Sequence, residues 1–235
     1  MQVRPIHSTR SALAVLAILI LTSTLSTTLS AGTVVGTVKF NGTVPAAEPV
    51  AVAQDTSVCG TEQVDPELVV SEDQGLQWAV VQVSSARGAT ESSEQPKLDQ
   101  NGCTFEPRVV IARPGEEMAV INSDGILHNV HTYSDENPPM NLAQPGFVQT
   151  LQLTFDESEV IKVKCDVHGW MTAWILVTDS RYTAVTDETG SFTLADVPAG
   201  NHQLSLWHEK LGEQTREITV ADSGETQVSF EFTGE

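Results

Sequence analysis

A cysteine, a histidine and a methionine follow one another at intervals of three residues in the segment VKCDVHGWMTAWILV. They are Cys165, His168 and Met171. Thiolate, imidazole and thioether groups are the ligands that soft and borderline transition metals prefer, Cu(I) in particular. Apolar residues on both sides predict two strands, with the three donors in the turn between them. The segment therefore indicates either a metal-binding loop or a hairpin that buries an ordinary thiol.

A further strong ligand has to come from another part of the chain. The segment ILHNVHTYS offers His128 and His131, directly after an apolar strand and the turn-like NSDG. Two imidazoles, one thiolate and a weak thioether form the set that mononuclear electron-transfer copper uses. The residues therefore predict one such copper ion per chain, and they leave open which of the two histidines binds it.

Other metal chemistry fits these residues less well. Structural zinc sites rarely use methionine, and iron–sulfur clusters need more cysteines than this loop contains. A binuclear copper centre would need a second cysteine in the loop, and the chain has no His-X-His pair of the multicopper oxidase type. Six histidines are few for an additional catalytic copper, so we expect that the protein is not an enzyme.

The chain has three cysteines, Cys59, Cys103 and Cys165. An odd number in an exported protein leaves one thiol for another purpose. We expect a disulfide between Cys59 and Cys103, which leaves Cys165 for a metal.

The first residues have the pattern of a secretory signal peptide. Arg4 and Arg10 precede the short apolar run SALAVLAILIL, and small residues follow as a cleavage site near residues 30–31. We expect residues 1–31 to be removed and the protein to be periplasmic or secreted, without membrane insertion after cleavage. The alternative is an uncleaved N-terminal anchor.

The formal net charge of −19 excludes nucleic acid and anionic membranes as favourable partners. A basic protein partner fits this charge, although scattered acidic residues also serve simply as a solvated surface.

The rest of the chain predicts an all-β fold. Short β-branched and aromatic runs alternate with Gly, Pro, Asn and Asp clusters, for example TVVGTVKF, VIKVKC and QVSFEF. Many short strands at regular spacing indicate a sandwich or barrel. Residues 84–96 are polar and indicate a loop or linker.

Residues 97–178 resemble the cupredoxins, small blue-copper proteins with a Greek-key β-sandwich. Among the plastocyanin-like cupredoxins the resemblance is closest to the amicyanins. The loop CDVHGWM has their Cys-X2-His-X2-Met spacing, and HNVH matches their segment with the first histidine. The resemblance implies a type 1 copper site with the ligands His128, Cys165, His168 and Met171. His168 is then the more exposed imidazole, and its edge is the exit for the electron.

The resemblance also gives roles to neighbouring residues. It implies that Asn129 ties the two ligand segments together by hydrogen bonds. This chain has Gly169 where the amicyanin type usually has proline, which would loosen the loop. Trp170 either shields the metal or forms an apolar docking patch beside His168; the alternative is that it simply packs against Trp174 or the core. His131 remains an alternative to His128.

A second resemblance involves TDETGSFTLADVPAGNHQLSLWHE, which is similar to the carboxypeptidase regulatory-like, or transthyretin-like, β-sandwich. Such domains commonly open with strands like those in residues 33–87, which here precede the cupredoxin segment. We therefore expect residues 33–87 and 179–235 to fold together, with residues 97–178 inserted between them. The alternative is three consecutive small units.

These resemblances imply an exported copper protein that carries single electrons between redox proteins. The partners would be a cytochrome c or a periplasmic dehydrogenase, such as an amine or alcohol dehydrogenase. The alternative is a copper-binding or adhesion-type module that stores, delivers or is stabilised by copper.

Overall fold

The computed structural model describes residue 2, residues 30–85 and residues 94–234. Most of the predicted signal peptide and of the predicted linker at 84–96 lies outside these residues, so both stay predictions. No helix in the described part of the chain is long and apolar enough to cross a membrane.

The described residues form eighteen strands and one helix of four residues, so the predicted all-β fold is confirmed. In chain order the elements are β1 (Ala31–Asn41), β2 (Val50–Ala51), α1 (Thr56–Cys59), β3 (Glu62–Gln63), β4 (Val80–Val83), β5 (Lys97–Asn101), β6 (Thr104–Glu106), β7 (Val109–Ala112), β8 (Glu117–Asn122), β9 (His128–Tyr133), β10 (Asn141–Gln144), β11 (Thr150–Thr154), β12 (Glu159–Lys164), β13 (Thr172–Val177), β14 (Thr183–Val185), β15 (Ser191–Pro198), β16 (Gly200–His208), β17 (Gly212–Val220) and β18 (Glu225–Thr233).

The first sandwich consists of two sheets from the middle of the chain. One has the strand order β10-β9-β12-β13-β7 and the other the order β11-β8-β5-β6. Alternate residues of β12 point inward, so Ile161 and Val163 are fully buried while Lys162 and Lys164 are partly exposed. Leu98 and Val120 of the opposite sheet belong to the same apolar core.

The second sandwich combines strands from both ends of the chain. Its sheets have the orders β15-β1-β18 and β14-β4-β16-β17, and β1 pairs in parallel with β18. Val34 and Phe230 of one sheet and Leu204 and Leu206 of the other share one apolar core. Strands before and after the first sandwich thus pair with each other. The division into an inserted domain of residues 97–178 and a transthyretin-like domain made of residues 33–87 and 179–235 stays a prediction.

The two sandwiches pack against each other through an apolar layer. Val80 of the second sandwich is buried with Val109 and Leu176 of the first. The rings of Trp174 and Trp207 meet edge to face, with their centroids 5.1 Å apart. The layer lies on the outer face of the sheet that carries β12 and β13.

Candidate metal centre

The cysteine, the histidine and the methionine lie in a short loop at one end of the first sandwich. Residues 165–171, here the ligand loop, connect β12 to β13, which pair up to Lys164 and Thr172. The loop closes on itself, because the Met171 N–H donates to the His168 carbonyl at 2.9 Å. The inward alternation of β12 directs the next side chain, Cys165, into the interior, where it is 1% exposed.

The neighbouring strand β9 brings the second histidine to the same end. It runs antiparallel to β12, with His131 opposite Lys164, so its first residue, His128, lies beside the ligand loop. His128 is fully buried. The Asn129 N–H and the His168 N–H approach the Cys165 sulfur at 3.5 and 3.4 Å.

Three donor atoms converge at this point. The Cys165 Sγ lies 3.8 Å from the His128 Nδ1 and 3.9 Å from the His168 Nδ1, and the two Nδ1 atoms are 3.0 Å apart. A point about 2.1 Å from all three atoms exists, within the bond lengths of about 2.0–2.3 Å that imidazole and thiolate make with such metals. One metal ion can therefore contact all three.

The far side of each imidazole contacts a carboxylate. The His128 Nε2 is 2.9 Å from an Asp124 oxygen, and the His168 Nε2 is 3.1 Å from an Asp55 oxygen. A carboxylate accepts hydrogen bonds, so each Nε2 carries the proton and each Nδ1 presents a lone pair. Two lone pairs 3.0 Å apart beside a sulfur repel one another unless a cation lies between them. The residues thus fit a metal ion.

Burial has opposite effects on the two kinds of ligand. It lowers the pKa of His128 although the hydrogen bond to Asp124 opposes it, so the ring is neutral and able to bind metal. Burial also raises the pKa of the Cys165 thiol, against the nearby N–H groups of Asn129 and His168. A thiolate here needs a compensating positive charge, which a bound metal supplies.

The other predicted site residues have the following positions. Met171 is 1% exposed and belongs to the same apolar core as Cys165. The Asn129 side chain accepts from the Asp166 N–H and donates to Asp166 and Asn141, so it links β9 to the ligand loop and to β10.

His131 points away from the converging donors. Its Nδ1 lies 3.0 Å from an Asp166 oxygen, its ring stacks on Tyr133, and its side chain is 28% exposed. It belongs to neither group of three potential metal ligands found in the described residues.

The expectation that His168 is the more exposed imidazole is wrong, because this side chain is fully buried. A segment more than a hundred residues earlier in the chain covers it: Asp55 contacts its Nε2, and the Gln54 side chain donates to the Val167 carbonyl at 3.0 Å. The edge of His168 is therefore closed to solvent.

Trp170 is half-buried beside the site. Its ring centroid is 5.3 Å from that of His168, and its Nε1 donates to the Cys103 carbonyl at 3.0 Å. It lines a cleft of about 630 Å³ together with Trp78 and Phe105. Trp170 packs against the apolar core of the first sandwich, as one of the two alternatives expected. The Trp174 ring meets that of Trp207 instead.

Cys59 and Cys103 form a disulfide, as predicted, and Cys165 is a free, buried thiol.

The site residues that the sequence did not predict are Asp55 and Asp124. Asp124 lies within the turn-like NSDG just before His128, which is the local signal for it. No local signal marks Asp55, which reaches the site through the fold.

Comparison with known proteins gives partial matches. The model for domain II of polysaccharide lyase family 4, an fn3-type domain, matches residues 154–228, which run from the end of β11 through the ligand loop and into β18. No curated protein matches the chain.

Solved structures with similarity to the chain are cupredoxins and a copper enzyme. The Cu-containing nitrite reductase from Thermus scotoductus SA-01 matches at 18% identity over 40% of this chain and 25% of that chain, with a TM-score of 0.33. A Cu(I) form of an amicyanin mutant matches at 19% identity over 42% of this chain and 98% of that chain (TM-score 0.33). A purple cupredoxin from Nitrosopumilus maritimus matches at 17% identity over 35% of this chain and 98% of that chain, with a TM-score of 0.27.

Proposed function

We propose that this chain is an exported type 1 copper protein that carries single electrons between periplasmic redox proteins. The observation that supports the proposal is the convergence of His128 Nδ1, His168 Nδ1 and Cys165 Sγ at a buried point. Copper bound there would supply one-electron redox chemistry, and Met171 is the weak fourth ligand in this proposal.

The protein's own residues do the rest of the work. The carboxylates of Asp55 and Asp124 orient the two rings, and the hydrogen bond that Asn129 accepts from the Asp166 N–H ties β9 to the ligand loop. A rigid and dry donor set favours electron transfer, because few atoms have to move when the charge of the metal changes. Water is excluded, since both histidines are fully buried.

Several features support the proposed compartment and partners. The disulfide between Cys59 and Cys103 is typical of an oxidising environment such as the periplasm or the exterior. The net charge of −19 favours a redox partner with a basic docking face, a cytochrome c or a dehydrogenase. We include no catalytic role, because in the described residues the other group of three potential ligands shares His128 and contains the oxidised Cys103.

The second candidate is a copper-binding module without an electron-transfer role. The closure of His168 by Asp55 favours it, because a redox partner has no direct access to that ring edge.

The proposal is tested by titrating the apoprotein with Cu(II). The sample is refolded so that the Cys59–Cys103 disulfide is formed and Cys165 is a free thiol. We expect an intense visible thiolate-to-copper band and reversible one-electron cycling. Met171→Leu, which roughly conserves volume, should keep the metal and shift the reduction potential. A colourless complex would refute type 1 copper, and a band without reversible cycling would favour the second candidate.

A further inference from the structure

A segment outside the first sandwich lies over the ligand loop. Residues 50–63, here the strap, contain β2, α1 and β3, and β2 pairs with β3 at the base. Val52 and Cys59 are 8% and 3% exposed and belong to the core of the first sandwich. The strap is therefore packed onto this sandwich by buried side chains as well as by its disulfide.

The part of the strap just before α1 contacts the ligand loop directly. The Asp55 carboxylate is 3.1 Å from the His168 Nε2, and the Gln54 amide donates to the Val167 carbonyl. Asp55 has φ = 55°, a left-handed conformation that is uncommon for a residue other than glycine. It also precedes α1 at the N-cap position without capping it through its side chain. An aspartate at that position usually caps the helix, so here contact with His168 replaces the cap.

The C-terminal residue of α1 connects the strap to the second histidine through the disulfide. Cys59 is bonded to Cys103, whose N–H donates to Asp124 at 2.9 Å. Asp124 in turn contacts the His128 Nε2 at 2.9 Å. The disulfide and the hydrogen bond from Cys103 to Asp124 thus connect the strap to both carboxylates that contact the imidazoles.

We propose that the strap is a disulfide-anchored cover of the metal centre, in which Asp55 is a positioning residue for His168. Its two functions are to hold the ring with Nδ1 toward Cys165 and to close the site to solvent and small reagents. Access to the centre then depends on opening of the strap. The effect on copper rests on the proposed function, whereas the cover itself can be tested without metal.

The metal-free test measures the rate at which an aromatic disulfide reagent modifies Cys165 in the folded apoprotein. Asp55→Ala should speed the reaction by about tenfold or more, because a hydrogen bond to a charged group is lost and the strap opens more readily. Asp55→Asn keeps an acceptor for the Nε2 proton and should stay within about threefold of wild type. Glu62→Ala, an exposed strap residue with the same change in charge, is the matched control.

The variant Cys59→Ser/Cys103→Ser removes the anchor and should also speed modification of its single remaining thiol. Because this variant loses global stability as well, Asp55→Ala, with its disulfide intact, decides the matter. Equal rates of Cys165 modification in Asp55→Ala and Glu62→Ala would overturn the proposal that the strap covers the metal centre.

The metal-bound test measures Cu(II) affinity by competition with a chelator. Loss of a carboxylate that supports a metal-ligating histidine typically costs about 10–100-fold, so Asp55→Ala should bind at least about tenfold more weakly. Asp55→Asn should restore most of the affinity, a rescue that a merely structural role of the strap would not produce. Absence of the thiolate-to-copper band in wild type would refute the proposed function, and the rates of Cys165 modification would still decide whether the strap is a cover.

Discussion

The two sandwiches both bury histidine, with different surroundings. In the first sandwich, His128 and His168 are fully buried, and both ring nitrogens of each have a defined neighbour, a carboxylate on one side and the Cys165 sulfur on the other. In the second sandwich, His208 is 1% exposed, and its Nδ1 accepts from the Lys210 N–H at 3.2 Å. Burial also lowers the pKa of His208, so it is neutral as well.

This comparison shows that a buried neutral imidazole is not by itself a metal site. His208 belongs to no group of three potential ligands in the described residues, whereas His128 and His168 share one with a thiol. The difference lies in convergence: β9 and the ligand loop bring three soft or borderline donors to one point. In the part of the chain that the structure describes, the second sandwich buries His208 without bringing a thiol and a second imidazole to it.

The largest expected effect distinguishes the histidines of the two sandwiches. His128→Gln should lower Cu(II) affinity by more than about 100-fold, since loss of a direct ligand exceeds the loss of its supporting hydrogen bonds. His208→Gln should leave the affinity unchanged. His131→Gln should also leave it unchanged, because this side chain faces Asp166. Chelator competition on variants with native circular dichroism measures all three, and a loss with His131→Gln instead of His128→Gln would contradict the assignment.

The next effect concerns the contact between the sandwiches. Arg108 makes a bidentate ion pair with Glu209, in which its Nη2 is 2.8 Å from the Glu209 Oε2. It also forms an ion pair with Asp65. The Arg108 and Glu209 side chains are only 6% and 5% exposed. Arg108→Ala should therefore lower the free energy of unfolding by about 3–5 kcal/mol in urea denaturation, because it leaves a buried carboxylate unpaired.

The double variant Arg108→Ala/Glu209→Ala is the control for this ion pair. It should be more stable than Arg108→Ala alone, because no unpaired charge remains at the position of Glu209. Additive losses would show that the contribution of Arg108 comes from its contacts with Asp65 and Trp78 instead of from Glu209.

A smaller effect on stability, which depends on pH, is expected in the first sandwich, where Glu159 binds the loop of residues 134–137. Burial alone would raise the pKa of Glu159, but hydrogen bonds from Ser134, Asn137 and the N–H groups of residues 135 and 136 outweigh it and lower the pKa to about 2. Since the folded-state pKa is below the unfolded value of about 4.3, the stabilisation is complete above that pH. It is lost as the pH falls toward 2.

Glu159→Gln should therefore lower the free energy of unfolding at pH 7 by about 1–2 kcal/mol, a value reduced for the partial exposure of the carboxylate. The difference from wild type should shrink between pH 4.3 and 2. Urea denaturation at several pH values measures it, and a constant difference over this range would contradict the assigned pKa.

The smallest expected effect concerns the loop residue that departs from the amicyanin type. Gly169 does not have a left-handed φ, and a methyl group added there would meet no atom within 4 Å. Gly169→Ala should therefore raise the free energy of unfolding by about 0.4–1 kcal/mol, because it restricts the unfolded chain. Gly102→Ala, at φ = 62°, is the contrasting control and should destabilise. Loss of stability with Gly169→Ala would mean that the loop needs glycine.

Much of this arrangement follows from local features of the sequence. The alternation in VIKVKC directs Cys165 inward, because successive side chains of a strand point to opposite faces. The intervals between Cys165, His168 and Met171 allow one turn to carry all three. Short β-rich runs separated by turn residues predicted an all-β fold for the same local reason, that each run can form a half-buried strand but no amphipathic helix.

Only the tertiary structure determined what surrounds those ligands. Asp55 is 113 residues away from His168, and no local pattern distinguishes it from the other acidic residues. The expected exposure of His168 was wrong for the same reason, because the covering strap comes from a distant segment attached through Cys59. The sequence by itself determined which side chains can bind a metal, since residue type and strand alternation are local properties. The fold decided which of these converge and what covers them, because contacts between distant segments depend on the packing of the whole chain.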